Sequence, residues 1–72
     1  MSEQLADALQ QRAQTALSTS PIYDLRDLHV ERSGDQLLIS GTVASFYHKQ
    51  LAQEVVRAVV EDIEVINSVD VC

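Results

Sequence analysis

Between positions 3 and 18, Leu5, Leu9, Ala13, Ala16 and Leu17 recur at three- and four-residue steps, with Gln, Arg and Asp between them. That period predicts an amphipathic helix whose Ala- and Leu-rich stripe suits close packing on another surface. Ser2 is placed to cap it, and Glu3 and Asp7 lie where the helix dipole favours acids. Ser18-Thr19-Ser20-Pro21 ends it, because proline disfavours helix in the residue before it.

The period then shortens to two. Residues 26–32 and 37–43 read as strands joined through Ser33-Gly34-Asp35-Gln36. A two-residue turn at Gly34-Asp35, or a four-residue one over 33–36, sets Val30 opposite Ile39 and Leu28 opposite Gly41. A three-residue loop would oppose Val30 to Leu38 and break the apolar face. The expected buried face is therefore Leu28, Val30, Leu37, Ile39, Gly41 and Val43.

Helical spacing returns after Ser45, a cap for a second helix over 46–61 with Leu51, Ala52, Val55, Ala58 and Val59 inward. A last strand is expected at 65–71, with Val65, Val69 and Val71 on one face. Asn67 shares that face: either it is hydrogen-bonded at the sheet margin or a bulge changes the parity.

The order is α-β-β-α-β, an α+β fold. The uncharged stretch 37–43 is the natural sheet centre, and a right-handed crossover through the second helix sets the last strand parallel beside it. The expectation is a mixed three-stranded sheet with two helices packed on one face. Its open face carries Asp27, His29, Glu31, Leu38, Ser40, Thr42, Ile66, Ser68 and Asp70. Leu38 and Ile66 form a modest apolar patch there, a possible interface too small to compel association, so a monomer or weak dimer is expected.

Against this pattern, length adds that all 72 residues form one domain. Eleven acids against five Lys and Arg give a formal charge of −6, which argues against nucleic acid and against adhesion to anionic membranes through bulk charge. No apolar run approaches the roughly 20 residues of a bilayer crossing. The start, Met-Ser-Glu-Gln-Leu-Ala-Asp, has neither the basic end nor the apolar core of a signal peptide. The default expectation is cytoplasmic, or periplasmic after loss of a leader. Cys72 has no partner within the chain, so no internal disulfide is expected.

The stretch from Leu28 to Val71 resembles the BON domain, named for bacterial osmotic-shock and nodulation proteins. The similarity lies in Val30, in Leu38-Ile39-Ser40-Gly41-Thr42-Val43, in the Ala-containing helix after Ser45, and in Glu64-Val65-Ile66-Asn67-Ser68-Val69-Asp70-Val71. It implies an α-β-β-α-β fold and a non-enzymatic role in phospholipid or envelope-associated binding. Gly41 matches the family's glycine, and its expected role is to leave backbone space against a helix.

Candidate chemistry is sparse. Asp27, His29 and Ser40 share the open face and imitate an acid–base–nucleophile set, but a flat sheet supplies no oxyanion site or water-excluding pocket, so no catalytic residue is expected. His29, His48 and Cys72 lack zinc-site spacing, and Glu61, Asp62 and Glu64 lack a calcium-loop pattern, so neither metal nor cofactor is expected. Those three acids are instead expected at the last turn of the second helix, against the dipole. The ligand-binding candidate is the first turn of that helix, Ser45, Phe46, Tyr47, His48 and Lys49. There free N–H groups, two cationic side chains and aromatic surface meet, suited to a phosphate headgroup or acidic peptide, with one ring expected against the first helix. Two roles stay open: a lipid-headgroup module, or a protein-interaction module acting through the open sheet face.

Overall fold

The computed structural model describes residues 3–72, with side chains from Asp7 onward. The proposed Ser2 cap and the Glu3 and Leu5 side chains lie outside the described residues. Helix α1 spans Glu3–Ser18, as its period predicts, and buries Leu9, Ala13 and Leu17. A 3₁₀ turn at Tyr23–Leu25 follows Pro21 and drives Leu25 into the core. The described residues form five short strands: β1 (His29–Ser33), β2 (Gln36–Ser40), β3 (Thr42–Val43), β4 (Glu64–Asn67) and β5 (Asp70–Val71). Helix α2 spans Phe46–Val59.

The first strand starts later than its pattern suggests. The Leu28 N–H donates to the Leu25 carbonyl at 3.3 Å, so residues 26–28 finish a turn before pairing begins. Strands β1 and β2 are antiparallel with Val30 opposite Ile39 and Ser33 opposite Gln36, which leaves Gly34-Asp35 as a two-residue turn. Gly34 sits at φ +60, as the first central residue of a II′-type turn demands. Strand β4 lies parallel to β2, giving the order β1-β2-β4 with β2 central.

The expected second and third strands each break in two. Gly41 turns to φ +130 and separates β2 from β3, while residues 68 and 69 separate β4 from β5. Register nevertheless carries through the break, from Ile39 opposite Asn67 to Thr42 opposite Asp70. The N–H groups of Ser68, Asp70 and Cys72 continue the ladder to the carbonyls of Ile39, Gly41 and Val43 at 2.8–2.9 Å.

Gly41 corrects one expectation. A Cβ built there would lie 2.7 Å from Leu28 Cδ2 and 3.5 Å from Leu28 Cα, so it yields to the cross-strand leucine and not to a helix. Asn67 also resolves: parity is kept, and its amide turns toward α2. There Nδ2 donates to the Lys49 carbonyl at 2.8 Å while Oδ1 accepts the Val69 N–H at 3.2 Å.

Both helices cover one sheet face, α1 against β1 and α2 against β4, and they pack on each other. Between them lie Leu28, Val30, Leu37, Ile39, Ala52, Val56 and Val69, all buried. Helix α2 ends at Val59, two residues short of the expected end, so Glu61, Asp62 and Glu64 lie beyond it and not in its last turn. Its last turn carries Arg57, the sign the dipole favours.

Candidate functional site

Ser45 takes an extended conformation and its Oγ accepts the His48 N–H at 3.2 Å, a side-chain cap that starts α2 where the sequence places it. His48 then turns away from solvent. Its Nδ1 is 3.0 Å from Asp24 Oδ2, and the same carboxylate oxygen accepts the Ala44 N–H at 3.1 Å. Asp24 thus ties the 3₁₀ turn to the start of α2. It also places a carboxylate where an incoming anion would settle, beside the first turn's N–H groups. The donors left to a ligand are the Phe46 and Tyr47 amides and the Lys49 ammonium.

The aromatic rings occupy the same end of the molecule. Tyr23, Phe46 and Tyr47 are 75%, 76% and 69% exposed, so every aromatic ring of the chain faces solvent and none packs against α1 as expected. The Arg26 guanidinium lies 5.3 Å from the centre of the Tyr23 ring while its Nε donates to the Ser20 carbonyl at 2.8 Å. Tyr47 and His48 rings are 5.7 Å apart at a tilt of 44°. Phe is among the residues most often buried and Tyr is usually at least partly so, and here all three rings are left in water.

The remaining candidates are spread apart. On the open face His29 lies opposite Ser40, but its neighbour is Glu31, at 3.5 Å, and not Asp27. Leu38 and Ile66 are adjacent across β2 and β4, each half-buried, with Glu31 opposite Leu38 on the other side. Cys72 is exposed and free. Among the described residues no group of three His, Cys, Asp or Glu is placed to hold a metal ion. No helix of the described residues is long and apolar enough to cross a membrane.

Two members of the aromatic end, Tyr23 and Asp24, are invisible as site residues in the sequence. The one cue is an aromatic two residues after Pro21 in a connecting segment, where exposed functional residues concentrate. The Asp24–His48 contact spans 24 positions and has no local signature.

No curated protein matches the sequence. The BON domain family model matches residues 6–72, from the first helix through the last strand. With the α-β-β-α-β order, the antiparallel β1–β2 pair and the parallel return of β4 in place, that match covers nearly the whole chain: the protein belongs to the BON domain family.

Proposed function

We propose that this BON domain is a non-enzymatic module that settles on phospholipid surfaces through the end where Tyr23, Phe46 and Tyr47 project. The observation that carries this reading is the exposure of all three rings, each at least 69% open to solvent. Aromatic side chains with a polar tip favour the headgroup region, where the ring leaves water and the tip stays wet. Lys49 and the Phe46 and Tyr47 amides supply a phosphate contact within the same turn. A formal charge of −6 opposes long-range attraction to anionic lipid, so ring insertion leads and charge follows.

Flotation with phosphatidylglycerol-containing vesicles tests this. Removing both rings in Phe46→Ala/Tyr47→Ala is expected to weaken partitioning by about tenfold or more, since withdrawing a ring from water contributes on the order of 1–2 kcal/mol. Because both rings are exposed, the variant keeps the parent's thermal midpoint. Undiminished flotation of the double variant sinks the reading.

A protein-interaction role through the sheet face is the second reading, supported by the adjacency of Leu38 and Ile66. Two half-buried side chains make a patch well below the few hundred Å² that mark an interface. Sedimentation at several concentrations under reducing conditions is expected to show monomer or weak dimer, with Leu38→Ser weakening any association. A tight dimer indifferent to Leu38→Ser rules that face out as the contact surface.

A further inference from the structure

The two edges of the sheet are treated differently. At the β1 edge, Gln14 Oε1 accepts the Val30 N–H at 2.8 Å and Gln14 Nε2 donates to the Leu28 carbonyl at 2.9 Å. Gln10 Nε2 donates to the Val30 carbonyl at 2.9 Å. Those side chains reach from α1 and occupy the Leu28 carbonyl and both Val30 groups, the first part of the run a further strand would need. Strand β4 pairs with β2 alone. Its even-numbered neighbour Ser68 bonds inward to Ile39, so by alternation Val65 and Asn67 present their N–H and C=O groups outward. The open run ends at Val69, whose N–H is taken by Asn67 Oδ1.

Beside that edge runs a groove of about 550 Å³ along α2, lined by Phe46, Lys49, Gln53, Glu54, Arg57 and Asn67. Its charges distinguish it. Of the five Lys and Arg residues, Arg12 donates to the Val59 carbonyl, Arg26 to the Ser20 carbonyl, and Arg32 pairs with Asp7. Lys49 and Arg57 are the two whose side chains meet neither a carboxylate nor a carbonyl among the described residues, and both line this groove.

We propose that the β4 edge accepts an extended acidic peptide as an added strand, its carboxylates reaching Lys49 and Arg57. Strand addition takes affinity from main-chain hydrogen bonds and specificity from alternate side chains. Lys49 and Arg57 are eight residues apart on one helix, about 12 Å along its axis. Side chains on one face of a strand recur every ~6.8 Å, so carboxylates at positions i and i+4, about 14 Å apart, span the two cations. Position i+2 then falls near Glu54, which admits a neutral or basic residue and rejects an acid. The recognised pattern is acid-x-(neutral or basic)-x-acid, which reads the same in either strand direction.

The test is a backbone amide titration with the capped peptide Thr-Glu-Thr-Lys-Thr-Glu-Thr at low salt. Shifts are expected at Val65 and Asn67 and along the groove face of α2. Peptide with both Glu changed to Gln, and the Lys49→Gln/Arg57→Gln protein, are each expected to bind about tenfold more weakly or less, the sum of two exposed charge pairs. Peptide with proline at its centre is expected not to bind, since it cannot complete the strand. Equal binding of the proline or Gln peptide, shifts centred on residues 29–31 or on Tyr23 and Tyr47, or no shift at millimolar peptide would overturn the proposal.

Discussion

Gly41→Ala is expected to lower the unfolding free energy by about 2–3 kcal/mol, a large share of the ~5 kcal/mol a domain this small holds. Two causes act at one residue. Its φ of +130 lies where L side chains rarely settle, whatever space surrounds them. A methyl group there would also meet Leu28 Cδ2 at 2.7 Å, and Leu28 is only 2% exposed, so the leucine has little room to retreat. Gly41→Val adds a branched side chain to the same strain and is expected to cost more. Gly34→Ala separates the causes: Gly34 is at φ +60 with no atom within 4 Å of the new carbon, so only the backbone cost of about 1 kcal/mol applies. Adding Leu28→Ala to Gly41→Ala should cost less than the two separate losses combined, because the contact can vanish only once. Urea unfolding measures all of these, with Leu28→Ala alone completing the cycle. A Gly41→Ala variant within ~0.5 kcal/mol of the parent would mean that the chain runs straight from β2 into β3.

Gly41 also marks where the sequence stops being legible. Alternation gives the pairing of Val30 with Ile39, because a one-residue slip would turn the whole apolar set to solvent, and the handedness of the crossover gives the parallel return beside β2. It cannot give the break at Gly41, since a strand pattern reads the same whether one residue twists out or not. Helix α1 is legible end to end for the opposite reason: sixteen residues of one period leave no rival reading. Helix α2 is overrun by two residues because Val60 continues the apolar run while its backbone is already extended. The candidate site divides likewise. Ser45 is readable as a cap because capping is local; the Asp24 carboxylate behind His48 is not, and it changes what the turn can bind. Lys49 stands out in sequence as a cation near aromatics, but the groove it shares with Arg57, two turns along the same helix, does not show until α2 is placed beside the β4 edge.

Gln14→Leu is expected to cost about 1–3 kcal/mol although the residue is neither in the core nor near the aromatic end. Helix period assigns Gln14 to the polar side of α1, and it is half-buried because its amide is turned over the sheet edge. Leucine keeps most of the volume but removes the acceptor from the Val30 N–H and the donor to the Leu28 carbonyl. Two part-buried backbone groups then lose partners, and a group left unpaired costs more than a hydrogen bond typically contributes. The exposed neighbour Gln11 is the control, with Gln11→Leu expected within ~0.5 kcal/mol of the parent. Hydrogen exchange at the Val30 amide gives the specific readout: protected in the parent and in Gln11→Leu, fast in Gln14→Leu. The same change uncovers a strand edge, so Gln14→Leu should also associate more readily with rising concentration. Continued protection of the Val30 amide would mean that α1 covers this edge by its bulk and that the glutamine's two bonds are incidental. Loss of protection with unchanged stability would point to water replacing the glutamine at no cost, leaving β1 as open to strand addition as β4.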